Sequence, residues 1–229
     1  MMKTVLVVAA HPDDEVLGCG GTISKLADQG ATIHVAFLAD GVFSRWEYDA
    51  DTRRVELAGR RVSAKKACDI LGVRSISFDD FPDNRMDTVA LIDIIKPIET
   101  LIGKYQPDTI FTHHGGDVNI DHQRTYEAVV TACRPQIHHP VKTILCFEVP
   151  SSTEWQLPCG GSPVFAPNWF VDISGSLDRK LTALDAYAKE LKPWPHPRSR
   201  QGVEYLARWR GATVGSDAAE AFMLGRRLG

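Results

Sequence analysis

No stretch of the chain comes near the ~20 consecutive apolar residues that span a bilayer, so a helical membrane span is excluded. The apolar run Val5–Ala10 behind Met-Met-Lys-Thr is too short for the core of an export signal, and no convincing cleavage site follows it. Cysteine is scarce and unpatterned: Cys19, Cys68, Cys133, Cys146 and Cys159 are odd in number and include no Cys-x-x-Cys pair. That spacing excludes a disulfide framework and a cysteine zinc site, and it predicts reduced thiols in a cytoplasm. Positive charge is not in excess, since 26 Lys and Arg against 29 Asp and Glu leave a formal net charge of −3. Nucleic acid requires clustered basic residues to displace counterions, so the expected partner is a neutral or modestly charged small molecule. Repeats and low-complexity tracts are absent as well.

What is present is an ordinary globular composition, 44% hydrophobic and 24% charged over 229 residues, enough for one sizeable core and short for two. Apolar runs alternate with helical patterns: Thr4–Ala10 then Val16–Gln29, Ile33–Leu38 then Arg53–Leu71, Ser75–Phe78 then Thr88–Tyr105, Thr109–Thr112 then His122–Cys133, and Thr143–Glu148. The runs are nearly continuous, as in strands buried on both faces. The rhythm therefore predicts an α/β fold with a Rossmann-like, mostly parallel sheet and helices on both faces. Gly30 and Gly72 stand where left-handed helix ends are expected, and Asp13 or Asp14 where a cap is. Beyond Pro150 come a Gly/Pro/Ser-rich loop 150–167, a strand Trp169–Ile173, a helix Leu177–Leu191, the proline-rich Lys192–Pro197 and two short helical stretches. Their apolar content is too interrupted for a separate core. Residues 1–229 are read as one domain, with 150–229 as a cap on it.

Two clusters carry chemistry. Residues 9–15 read Ala-Ala-His-Pro-Asp-Asp-Glu directly after the first apolar run, and residues 113–122 read His-His-Gly-Gly-Asp-Val-Asn-Ile-Asp-His directly after Thr109–Thr112. In a parallel sheet the carboxyl ends of strands share one edge, where ligands bind, so the clusters can converge into one pocket. His11, one of the two Asp residues and His122 match the two-His, one-carboxylate set of catalytic zinc, which leaves a position for water. Such a set also serves Fe2+. Adjacent residues on a tight loop point in different directions, so one Asp can bind metal while its neighbour removes a proton from the water. The chemistry indicated is hydrolysis of a carbonyl compound. Each residue also has a plainer role open to it: helix cap for Asp13 or Asp14, and satisfied strand-end imidazoles for His113 and His114.

His11-Pro12-Asp13-Asp14-Glu15, the following Gly18-Cys19-Gly20-Gly21-Thr22, and Asp121-His122 resemble the LmbE-like, PIG-L-type zinc deacetylases over roughly residues 3–148. The resemblance implies removal of an N-acetyl group from an N-acetylglucosamine-type amino-sugar conjugate. It makes His11, Asp14 and His122 the Zn2+ ligands and Asp13 the general base. It places substrate contacts on Arg60, Asp83 and Met86, whose plainer roles are solvated helix face, turn residue and core filling, and it implies a homo-oligomer, a trimer or hexamer. One position departs from the family: many members carry a histidine three residues before the last ligand, where this chain has Asn119. An amide can donate to an oxyanion but cannot deliver a proton. His196, in the proline-rich turn, is the candidate substitute, with Asp121 released to orient it in the same subunit or a neighbouring one.

Three further readings stay open at this level. An inactive zinc- and sugar-binding protein fits the loss at Asn119, although a pure binder has no need of Asp13. A zinc amidase acting on a thiol or other acyl-amino-sugar conjugate would use the same residues. A dinucleotide-binding module, suggested by Gly18, Gly20 and Gly21, lacks the third glycine of the fingerprint, and two carboxylates in the turn would repel phosphate. Specificity is expected from loops 40–53 and 150–168, which hold Phe43, Arg45, Trp46, Ser151, Ser152, Glu154 and Trp155.

Overall fold

The computed structural model describes residues 2–42, 49–157, 161 and 163–229. The alternating pattern becomes β1 (Thr4–Ala9), α1 (Asp14–Asp28), β2 (Thr32–Ala39), α2 (Ala50–Leu71), β3 (Ser75–Phe81), α3 (Leu91–Tyr105), β4 (Thr109–His113), α4 (Ile120–Ala132), β5 (Thr143–Phe147), β6 (Trp169–Asp172), α5 (Leu177–Asp185), α6 (Arg200–Ala212) and β7 (Ala219–Arg227). The strands form one seven-stranded sheet in the order β3-β2-β1-β4-β5-β7-β6. β1 to β5 run parallel, and β7 lies antiparallel between β5 and β6.

The two-residue period of each strand divides its side chains between the faces. Val5, Val7, Ala9, Val35, Phe37 and Phe111 point into one apolar cluster with residues of α1, α2, α5 and α6. Leu6, Val8, Ala36, Leu38 and Ile110 point into a second with α3 and α4. Strands covered on both faces explain the continuous apolar runs. Gly30 and Gly72 have φ of 85° and 81° and end α1 and α2 as expected.

The C-terminal third departs from the expectation. Of the two short helical stretches expected at the end of the chain one is α6, while the chain's last element is the strand β7, and the helix from Leu177 ends at Asp185 rather than Leu191. Ala, Glu, Met and Leu favour a helix locally, but an open edge of β5 has backbone groups that need partners, and pairing there overrides the propensity. Two strands of the segment expected as a cap thus extend the sheet itself. Among the described residues no helix is long and apolar enough to cross a membrane.

Candidate metal centre and active site

β1 and β4 are neighbours whose following connections lead to opposite sides of the sheet, so their carboxyl ends flank a topological switch point, the usual crevice of such sheets. Both clusters open there. Asp14 Oδ2 lies 3.4 Å from His11 Nδ1 and 3.4 Å from His122 Nε2, and the donor atoms of the three residues all fall within 4.8 Å of one another. Each imidazole is held at its other nitrogen by a carboxylate: His11 Nε2 lies 2.9 Å from Asp121 Oδ2, and His122 Nδ1 lies 3.1 Å from Asp117 Oδ2. A carboxylate behind a histidine fixes the tautomer and the ring direction of a metal ligand. His11, Asp83 and Asp121 form a second close group on that outer nitrogen.

The pocket favours positive charge. Burial opposes a charged His11, yet hydrogen bonds with Asp121, Asp14 and Asp83 outweigh it and hold the imidazole well above its ordinary range. Burial likewise opposes a charged His122, but Asp14 and Asp117 push it up to about 9. Asp14, despite burial, is held well below the carboxylate range by His122, His113 and His11. His113 is neutral, because burial and the neighbouring His122 lower it well below its ordinary value. Its Nε2 accepts from Ala10 N at 2.8 Å and its ring stacks on His122 at 3.9 Å, so it supports the site rather than ligating. His114 turns away to the Pro163 carbonyl.

Asp13, at the N-cap position of α1, has φ 117° and makes no side-chain cap. Its amide donates to Glu15 Oε2 at 2.9 Å, and Glu15 Oε1 accepts from Tyr187 OH at 2.6 Å, which anchors the turn from below. Asp13 Oδ2 sits between Arg198 Nη1 at 3.3 Å and Arg60 Nη2 at 3.6 Å, while Oδ1 has no bond among the described residues. Burial raises the Asp13 carboxyl above its ordinary value, with the two arginines opposing the shift.

Arg60 shares the buried face of α2 with Ala64, Ala67, Cys68 and Leu71, so it points into the protein and not into solvent; its Nη1 also meets Glu190 Oε1 at 2.5 Å. Asp83 Oδ1 lies 3.3 Å from His11 Nε2. The Met86 side chain is fully enclosed in the second apolar cluster, and what it brings to the site is its amide, which donates to Asp121 Oδ1 at 3.0 Å. Asn84, with φ 51°, donates its amide to Asp121 Oδ2 at 2.6 Å.

The pairing expected for Asp121 is replaced. Its oxygens take His11 and the amides of Asn84 and Met86, so within the chain it orients a ligand and a loop rather than His196. His196 lies edge-on to Trp155 at 5.6 Å and its Nδ1 accepts from Arg198 N at 3.1 Å. The residue of that turn that touches Asp13 is Arg198. Asn119 is the N-cap of α4, with Oδ1 accepting from the amides of Asp121 at 2.8 Å and His122 at 3.4 Å, and its Nδ2 donates to Asn84 Oδ1 at 3.2 Å. Asn119→Ala is expected to destabilise the metal-free protein by about 1 kcal/mol, the usual cost of a lost cap, as read by urea denaturation.

Phe43, Arg45, Trp46 and Cys159 lie outside the described residues. Ser152 is committed to Asp117 through its Oγ, and Glu154 accepts from the Ser151 amide at 2.6 Å. Sequence reasoning missed Asp117, Glu15, Tyr187, Glu190 and Arg198. Asp117 and Glu15 had a local signal, their places inside the two clusters; the others had none.

Fold and site together define the class: an α/β enzyme with a candidate His/Asp metal-binding group at the carboxyl edge of its parallel strands. The chain belongs to the PIG-L family, whose model, described as GlcNAc-PI de-N-acetylase, matches residues 6–133. It is 31% identical to a probable N-acetyl-alpha-D-glucosaminyl L-malate deacetylase of Bacillus cereus, across 83% of this chain and 84% of that one. It is 28% identical to a 4-oxalmesaconate hydratase of Pseudomonas putida, across 85% and 76%. The solved N,N'-diacetylchitobiose deacetylase of Pyrococcus horikoshii superposes with a TM-score of 0.77 at 21% identity, covering 98% of this chain and 84% of that one.

Proposed function

We propose that the chain is a zinc-dependent hydrolase that removes the N-acetyl group of an N-acetylglucosamine-type conjugate. The observation that carries the reading is the joining of a buried His-Asp-His donor set to a carboxylate, Asp13, with one oxygen clamped by arginines and the other without a bond among the described residues. The donor set suits a divalent cation. Two imidazoles with raised proton affinity among buried carboxylates mark a place built to hold positive charge, and the carboxylates behind His11 and His122 aim both rings at Asp14. Zn2+ there, or Fe2+ in its place, would supply Lewis acidity and make nearby water easier to deprotonate.

Asp13 Oδ1 then takes the proton of the attacking water. Asn119 cannot protonate the leaving nitrogen, so the same carboxyl, whose proton affinity burial has raised, returns that proton to the amine. Arg60 and Arg198 keep Asp13 in one rotamer through both transfers. Arg60 and Asp83 line the substrate side, and His196 stays a candidate for contact with the acyl sugar. The reading takes the protein as one domain, cytoplasmic and homo-oligomeric, with a small amino-sugar substrate.

The test is acetate release from a panel of N-acetylglucosamine conjugates by metal-analysed protein. Acetate formed with zinc bound supports the reading, and zinc without acetate across the panel counts against it. The Pseudomonas relative and the missing acid at Asn119 favour one second reading, addition of water to a conjugated unsaturated acid, which has no leaving nitrogen. Loss of the conjugated acid's ultraviolet absorbance without acetate would select it.

A further inference from the structure

α1 is broken in the middle, and the break is bridged by an ion pair from the far end of the chain. Cys19 has φ −148° and ψ 20°, outside helical values. In a continuous helix the Gly21 amide would donate to the Leu17 carbonyl four residues back. Here Gly21 N donates to Glu220 Oε1 at 2.9 Å and Thr22 N to Glu220 Oε2 at 2.7 Å. The Leu17 carbonyl accepts instead from Lys180 Nζ at 2.9 Å, and Lys180 Nζ donates to Glu220 Oε1 at 2.5 Å. A lysine and a glutamate are thus inserted in series between two backbone groups that would otherwise meet, one of the recognised causes of a sharp kink. The signs fit the helix ends they face, a cation at the carboxyl end of the first half and an anion at the amino end of the second.

The pair is deeply buried, its side chains 3% and 4% exposed. Buried ion pairs of this kind seldom add net stability over apolar replacements, so stability alone does not account for it. The break divides α1 between two supports. A Cβ on Gly18 would lie 2.3 Å from the Phe147 ring, so the first half is pressed against the end of β5, and a Cβ on Gly21 would lie 2.7 Å from Ile173, so the second half rests on the residue after β6. Asp14 heads the first half. Lys180 comes from α5 and Glu220 from β7.

We infer that Lys180 and Glu220 are positioning residues for the Asp13–Asp14 turn: by splinting the break in α1 they set the short first half against Phe147 and so aim Asp14 at His11 and His122. The inference rests on the metal reading of that trio. Neither residue touches a ligand atom, and their action is through the backbone of residues 17–22.

The experiment compares Lys180→Met, and the double variant Lys180→Met/Glu220→Gln that leaves no unpaired buried charge, with Leu181→Ala, a core truncation on the same helix whose side chain is 2% exposed. Amide hydrogen exchange of the metal-free proteins is measured over residues 11–18 and over β4, and zinc affinity is measured by competition with a chromophoric chelator. The inference predicts that the position-180 variants speed exchange over 11–18 by about tenfold more than over β4, a local opening. It also predicts zinc binding weakened by about tenfold or more, the lower end of what is seen when ligand orientation is disturbed. Leu181→Ala should loosen both regions alike and leave affinity unchanged. Variants at 180 that behave as Leu181→Ala does in both measurements overturn the inference. A wild-type chain that binds no zinc would count against the metal reading, while the exchange comparison would still decide the positioning role.

Discussion

Asp13→Asn is expected to lower kcat for amide hydrolysis by about 10²–10⁴-fold, the usual contribution of a positioned general base, with metal content unchanged. Asparagine is the informative replacement. Asp13 has φ 117°, a region where asparagine is tolerated far better than alanine, so Asp13→Ala would add backbone strain to the chemical change. The amide keeps the volume and can still meet one of the two arginines. It cannot take up a proton, and on the reading above Asp13 is needed twice, to deprotonate water and to protonate the amine. Steady-state kinetics beside metal analysis checks the prediction. An unchanged kcat would remove Asp13 from the chemistry and move the base elsewhere in the pocket.

Asp117→Asn is expected to weaken metal binding by about 10–100-fold, the range seen when the carboxylate behind a histidine ligand is lost. Asp117 receives four donors: Ser152 Oγ and the Asn119 amide on Oδ1, Thr153 Oγ1 at 2.7 Å and His122 Nδ1 at 3.1 Å on Oδ2. An asparagine has one acceptor oxygen, so half of these donors would face an NH2 group. Turned one way, the amide oxygen leaves His122 and Thr153 without their acceptor; turned the other, it leaves Ser152 and the Asn119 amide without theirs. Negative charge behind His122 is lost in both cases, and the imidazole becomes a poorer ligand. Chelator competition on folded, metal-free protein reads the effect. Affinity equal to wild type would mean that His122 needs no carboxylate behind it.

Much of this site was visible before any coordinates. The clusters holding His11 and His122 follow apolar runs, and strand ends of a parallel sheet meet by topology, so local pattern and one fold rule brought them together, while the choice of Asp14 over Asp13 came from the family resemblance. Arg60 was harder. Among Arg53, Arg54, Arg61, Lys65 and Lys66 it looked like one more charge on a wet face, but its spacing from Ala64, Ala67, Cys68 and Leu71 puts it on the apolar stripe, a signal that periodicity carries. β7 was misread because its helix-forming residues yield to the unpaired edge of β5. Tyr187, Glu190 and Arg198 had no signal, since Glu15, Arg60 and Asp13, which they respectively meet, stand more than a hundred residues away.

The sequence by itself determined the class of fold, the strand ends that bear the site and the family to which the chain belongs, because apolar periodicity and short motifs are local and survive reading in one dimension. Tertiary structure alone decided which atoms face which. It assigned Asp121 to His11 rather than to His196, drew Asp117 behind His122, clamped Asp13 between Arg60 and Arg198, and made Asn119 a helix cap. A hydrogen bond is set by distance and angle at the scale of an ångström, and those follow from how α2, α5 and the turn at 196–198 pack on the sheet, which no spacing along the chain encodes.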